Sequence, residues 1–301
     1  MLQIAGMLLG AVVVTGVGAV GAGVDAVSGY KQQIESWRAQ RVKRLTAPTG
    51  WLSLVGLPWL KEGANKIGSA PDNDVVIATA PAHLGVVTLA RGKASIALDT
   101  QAQATIDGAK KANAELLDDS HDKPTTVAFG TTSFYLIERN GKYGLRVKDA
   151  NAPTRLHFAG IDYFDIDPSW RIEAKWEAYD PPREVEEPNV LGQIDKVVVP
   201  GAAVFERDGK SYRVEPVIEN PGDTELFLVF ADKTSGKETY GAARFVYTEP
   251  PKDGKVIIDF NKAYNPPCAF TPYATCPLPT AQNRLGLRVT AGEKKYRGGH
   301  D

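Results

Sequence analysis

From Tyr30 onward the chain shows a helical rhythm: Tyr30, Ile34, Trp37, Arg41 and Leu45 recur at i, i+4 and i+7, while Gln32, Glu35, Arg38 and Lys43 take the other face. This spacing predicts one amphipathic helix, ended by Pro48. From Trp51 the period changes. Short alternating or β-branched runs are cut by Arg91-Gly92, Asp107-Gly108, Asn140-Gly141, Asp208-Gly209 and Asp253-Gly254, a pattern of strands joined by tight turns. Two hairpins follow: Thr132–Arg139 with Lys142–Lys148, and Ala202–Arg207 with Lys210–Val217. The run from Glu225 to Phe230 is apolar on both faces and predicts a central strand. Breakers at 149–153 and 165–168 place a boundary near Ala150, and the acidic, proline-rich Asp180–Pro188 reads as a surface loop of the second domain. The expected fold class is all-β: an N-terminal amphipathic helix, a β-sandwich to residue 149, then a second antiparallel β-domain over 150–301 with a proline-rich C-terminal loop.

Upstream of the helix, Leu2 to Val24 is uncharged and glycine-rich, and Val24 and Ala26 supply small residues for cleavage after Ala26. The segment 1–26 is expected to be a signal peptide or a single membrane anchor, although its only positive group is the terminal amine. Either way the mature chain from Val27 is expected in the periplasm or elsewhere outside the cytoplasm. Across the 301 residues, 35 basic against 36 acidic side chains leave a formal net charge of -1. That balance gives no electrostatic footprint for nucleic acid.

Candidate chemistry concentrates near the C-terminus. Asn265 to Pro279 holds five prolines and both cysteines, Cys268 and Cys276, which predicts a stiff loop rather than helix or central strand. In an exported chain the cysteines read first as a disulfide; an unlinked pair, a metal ligand pair and a nucleophile stay open. His83, His121, His157 and His300 have no metal-ligand spacing, and no cofactor is expected. If Lys255–Asp259 and Leu285–Thr290 are the flanking strands, Asp259 and Arg284 sit at the loop's roots and can form a salt bridge. Polar groups cluster here: Lys233, Glu238, Tyr240, Arg244, Asp259, Asn261, Tyr264, Asn265, Asn283 and Arg284. One reading makes them a pocket for a polar or anionic small molecule, with Lys233, Arg244 and Arg284 pairing its charge and Tyr240 and Tyr264 covering its apolar part. Asp259 and Glu238 are the carboxylates available as a base. The other reading has them satisfying backbone groups of a long ordered loop.

Two resemblances add to this. The stretch Gly63-Ala-Asn-Lys-Ile-Gly-Ser-Ala-Pro-Asp-Asn-Asp-Val-Val-Ile77, with Pro81-Ala-His83-Leu-Gly85, resembles the start of a forkhead-associated (FHA) sandwich. That family grips phosphothreonine with an Arg and a Ser, whereas here Ser69 and Ala80 occupy those places, so the resemblance implies the shape and not the phosphopeptide function. Phe230-Ala-Asp-Lys-Thr-Ser-Gly-Lys-Glu-Thr-Tyr-Gly-Ala-Ala-Arg-Phe245, the run from Ile258 to Pro279, Asn283-Arg284-Leu285 and Ala291-Gly-Glu293 closely resemble the DUF1684 family, which carries no assigned activity; Tyr143-Gly-Leu-Arg-Val-Lys-Asp149 and Ile166-Asp-Pro-Ser-Trp-Arg171 extend the resemblance over nearly the whole chain after the leader. The alternative to ligand binding is a non-catalytic envelope interaction module with the sandwich as its partner-binding face.

Overall fold

Helix α1 (Gly18–Leu45) runs unbroken through the amphipathic stretch. The computed structural model describes residues 18–298, with side chains from Val27, so the leader expected over 1–26 lies outside the described side chains. Among the described residues no helix is long and apolar enough to cross a membrane. The helix buries Ile34 and Leu45, and its polar contacts run to the C-terminal half. Tyr30 donates its hydroxyl to Asp259 Oδ1 (2.8 Å), and Arg38 Nη2 donates to the Phe164 carbonyl (2.9 Å).

The first half is a two-sheet sandwich of ten strands: β1 (Leu54–Gly56), β2 (Gly63–Gly68), β3 (Val75–Val76), β4 (Gly85–Ala90), β5 (Lys93–Leu98), β6 (Ala104–Ile106), β7 (Asn113–Leu116), β8 (Thr126–Phe129), β9 (Thr132–Arg139) and β10 (Lys142–Asp149). The sheets have orders β1-β10-β9-β8-β6 and β3-β2-β4-β5-β7. Their inner faces share one core that includes Ile67, Leu84, Ile96, Phe134 and Leu145. At Gly68 a Cβ would stand 2.1 Å from the Ala82 carbonyl oxygen, so only glycine lets β2 approach the loop bearing His83.

After the short helix α2 (Pro153–Leu156), the second half contains β11 (Arg171–Pro188), β12 (Ile194–Arg207), β13 (Lys210–Val214), β14 (Phe227–Phe230), β15 (Arg244–Tyr247) and β16 (Lys255–Asp259). It forms a sheet ordered β13-β12-β11-β16 and a two-stranded ladder β14-β15. Phe230 and Phe260 meet edge-on at 5.2 Å within its core. All five turn dipeptides have a first residue with φ of 50–52° and a glycine with φ of 69–77°, the left-handed pair that a type I′ turn requires.

Three expectations need correction. Asp180–Pro188 is not a surface loop. The prolines, which lack an N–H, are absorbed in an irregularity between the pairs Ala178↔Gly201 and Arg183↔Val199, and beyond it β11 pairs with β12 again as far as Pro188↔Ile194. Leu285–Thr290 forms no strand, so the loop has only one strand root. Of the run expected as a central strand, Phe227–Phe230 forms β14 and is wholly buried while Glu225 is exposed, and the ladder has one full partner, β15, with only single bridges from Val217 and Arg284 beside it.

Candidate functional site

A cavity of about 800 Å³ opens where α1, the β9–β10 hairpin of the sandwich and the C-terminal half meet. The helix and the sandwich contribute its cations: Arg41, Arg44, Arg139 and Arg146. Most of its acids come from the C-terminal half, with Glu187 on β11, Asp195 on β12 and Glu219 between β13 and β14. Trp37, Trp51, Phe227, Phe245, Tyr247 and Tyr264 supply aromatic lining, and Ala274 to Pro277 bring the proline-rich loop to the same space. A concave, largely apolar site with a few convergent polar groups is the usual form of a small-molecule pocket.

Most of the charged groups are already engaged. Arg41 Nε donates to Glu293 Oε1 (3.1 Å), its Nη2 donates to the Asn265 carbonyl (2.8 Å), and its guanidinium stands 4.6 Å from the centre of the Tyr264 ring. Arg139 grips Asp119 with two bonds of 2.9 and 2.7 Å. Asp195 accepts from the side-chain amides of Asn140 and Asn189, each at 3.1 Å. Glu219 accepts the Tyr247 hydroxyl.

Arg44 is exposed and has no ion-pair partner among the described residues; two buried groups of opposite sign also stay open. Arg146 is 4% exposed, yet its guanidinium reaches only Thr275 Oγ1 at 3.3 Å, Tyr135 Oη at 3.4 Å and Asp119 Oδ2 at 3.5 Å, and its Nε has no partner. It lies 5.3 Å from the centre of the Trp51 ring. Glu187 is 6% exposed and accepts no hydrogen bond among the described residues. Burial, then the charges of Asp195 and Glu219, pushes its carboxyl up to about 7. A loosely held guanidinium can take up an anion, and a carboxyl with this value can give or receive a proton at neutral pH.

Of the ten C-terminal residues singled out by sequence, Tyr264 lines this cavity. Arg244 is fully buried and ion-paired to Asp232 at 3.2 Å. Asp259 Oδ1 accepts from Tyr30 and from the Asn261 N–H, while Asn261 Nδ2 donates to the Asp167 carbonyl (2.8 Å). Asn265 Nδ2 donates to the Lys294 carbonyl (2.8 Å), and Asn283 bonds both backbone groups of Glu215 at 2.8 and 3.0 Å. The Tyr240 hydroxyl donates to the Cys268 carbonyl (3.2 Å), and Glu238 pairs with Arg288 at 2.5 Å. Lys233 and Arg284 are exposed. The salt bridge expected between Asp259 and Arg284 is not formed, because Asp259 faces α1 instead.

The expected disulfide also needs correction: Cys268 and Cys276 are unbonded and buried. The Cys268 N–H donates to Cys276 Sγ at 3.2 Å, and both side chains pack in an apolar cluster with Val199, Val217 and Phe245, so packing and one amide bond close the loop. His83 is exposed. Among the described residues no group of His, Cys, Asp and Glu is placed to hold a metal ion.

Sequence reading missed Arg41, Arg146 and Glu187 as site residues. Arg41 had left a signal, since it is a charge on the apolar stripe of α1. Arg146 lies in the Tyr143–Asp149 run noted for its resemblance, but nothing marked its charge, because it alternates with the core residues Leu145 and Val147 like any residue on a solvent face. Glu187 was hidden in the acidic, proline-rich stretch.

No curated protein matches the chain. It is similar to an uncharacterized protein of Haloarcula marismortui whose structure was solved by solution NMR, with 33% identity over 46% of this chain and 78% of that chain and a TM-score of 0.40. Residues 156–294 match the model of DUF1684, described as a protein of unknown function. Glu187, Asp195, Glu219 and Tyr264 fall inside the matched segment, while Arg41, Arg139 and Arg146 precede it, so the resemblance expected over nearly the whole chain is found over 156–294 and does not take in Tyr143–Asp149. Through this C-terminal half the chain belongs to the DUF1684 family.

Proposed function

We propose that this chain binds a small organic molecule with an anionic group and an apolar body in the cavity between α1, the sandwich and the C-terminal half. The observation that carries the reading is Arg146. A buried cation costs several kcal/mol unless well-formed bonds compensate it, and every bond Arg146 makes within the chain is 3.3 Å or longer. An anionic ligand supplies the short charge-assisted bonds that are missing, and the surrounding aromatic faces cover its apolar part. The volume falls in the range of ordinary ligand pockets. Native mass spectrometry of the purified protein, before and after mild denaturation, tests this. A bound small molecule is expected in the native chain and absent from Arg146→Met; the same occupancy in the variant overturns the assignment.

The uncharged run before Val24 and the small residues at Val24 and Ala26 support a site of action outside the cytoplasm, with the leader cleaved or kept as an anchor. Cell fractionation with N-terminal sequencing tests this, and an intact N-terminus in the cytosol without membrane association overturns it. For the sandwich, the FHA-like turn lacks the Arg and Ser that grip phosphate, so a phosphothreonine peptide array is expected to give no phosphate-dependent binding. A non-catalytic interaction role would rest on Val190, Leu191 and Ile194, exposed around the β11–β12 turn of the C-terminal half, and not on the sandwich face first expected for it.

A further inference from the structure

We infer that the ligand is a zwitterion, with its carboxylate on Arg146 and its ammonium on Glu187, and that Glu187 selects it over simple anions. This rests on the cavity reading above and names the class of molecule that the cavity takes.

Uncommitted charge in the cavity sets the class of ligand. Arg41 is spent on Glu293 and the Asn265 carbonyl, and Arg139 on Asp119. Asp195 is spent on two asparagine amides and Glu219 on Tyr247. What remains buried and open is one guanidinium and one carboxyl, both lining the same space. A simple anion would answer Arg146 but meet the carboxylates of Glu187, Asp195 and Glu219; a simple cation would answer those and meet the guanidinium groups. A dipolar molecule answers both. The aromatic rings of Trp37 and Tyr247 add faces on which an ammonium group is favoured. The space suits anything from an amino acid to a short peptide.

The same groups fix the sign of a proton effect. Glu187 faces Asp195 from β12 and Glu219 from the segment before β14, and Arg41, Arg44, Arg139 and Arg146 line the cavity with it. Its partly protonated carboxyl ionises when an ammonium group arrives, so zwitterion binding near neutral pH releases a proton. A simple anion beside it favours the protonated form and draws a proton in.

The test is calorimetry and thermal shift with matched probes: phenylalanine, 3-phenylpropionate and phenethylamine, extended to the other amino acids and to alanine peptides of two to four residues with their deaminated analogues. At least one zwitterion is expected to bind ten-fold or more tightly than its deaminated partner. Titrations at pH 7 in two buffers of different ionisation enthalpy are expected to show proton release. Glu187→Gln, which preserves shape, is expected to lose the release and the ten-fold preference while still binding the deaminated partner; circular dichroism checks its fold. Equal binding of the deaminated partner, or proton uptake, overturns the zwitterion and leaves the cavity reading standing. A co-purified ligand without a cationic nitrogen does the same. If no probe binds and native mass spectrometry finds the cavity empty, both readings fall.

Discussion

Two buried arginines, Arg244 and Arg146, are 1% and 4% exposed, and the chain treats them differently. Arg244 faces Asp232 at 3.2 Å, donates to the Val289 (2.9 Å) and Ala291 carbonyls, and lies 5.1 Å from the centre of the Phe230 ring. Asp232 is further held by the Thr234 hydroxyl and the Val289 N–H. Arg146 has only long contacts, shares Asp119 with Arg139, and borders open space. Nε lacks a partner in both residues, so an orphaned nitrogen does not separate them. What separates them is the closure of the remaining bonds and the cavity. Burial of charge marks a cross-link as readily as a site, and the uncommitted volume beside the charge decides between them.

The largest expected effect breaks or confirms this contrast with one substitution at both places. Arg244→Met leaves Asp232 buried without its cation and is expected to cost about 3–5 kcal/mol, seen as a large fall in melting temperature or loss of soluble protein. Arg146→Met removes a poorly compensated charge and puts an apolar chain of similar length in its place; stability is expected to stay within about 1 kcal/mol of the parent, or to rise. Equal destabilisation by the two would make Arg146 a cross-link as well and dissolve the comparison.

A smaller effect sharpens the other open charge. Because Glu187 is raised to about 7 in the folded chain and titrates near 4.3 when unfolded, the folded state holds its proton more tightly. Its contribution is fully present below about pH 4.3 and is lost as pH rises through 7. The interval corresponds to about 4 kcal/mol at most, at about 1.4 kcal/mol per pH unit. Glu187→Gln is therefore expected to match the parent at pH 4 and to be the more stable protein at pH 8. Unfolding curves at the two pH values check this. A constant difference between parent and variant would show that the fold does not raise Glu187.

The fold was largely legible because its signals are local. A dipeptide such as Asn140-Gly141 dictates its own turn, and the 3.6-residue stripe from Tyr30 to Leu45 dictates the helix. The same rule misread Asp180-Pro181-Pro182, since a bulge inside a long ladder and a loop carry the same residues and only the pairing of Arg183 with Val199 tells them apart. Of the cavity, the sequence marked Tyr264 and the proline-rich loop with Cys276, and Arg41 as a charge on an apolar stripe. Its walls come from residues 37–51, 119–146, 187–219 and 227–277, and no window of sequence states which of these meet. Asn261, Asn265 and Asn283 bond backbone groups, as the second reading of the polar cluster had them, but those of Asp167, Lys294 and Glu215, which lie outside the loop.

The smallest expected effect concerns the cysteine pair, where Cys276 borders the open cavity and Cys268 packs behind it. In an exported chain a covalent bridge would tighten this loop, but here the prolines already restrict it and Cys276 Sγ accepts the Cys268 N–H. Burial holds the Cys276 thiol well above its ordinary range, which makes it a poor nucleophile at neutral pH. Reductant is therefore expected to leave the melting temperature unchanged, and a thiol reagent should react slowly with native protein. After unfolding in urea without reductant, both cysteines of the chain should titrate. Cys276→Ala removes one weak acceptor and a small apolar contact and is expected to cost about 1 kcal/mol. An unfolded chain with no free thiol would instead establish the covalent ring. Reduction should then lower stability and loosen the cavity edge at Thr275, weakening the hold on Arg146 that the contrast with Arg244 depends on.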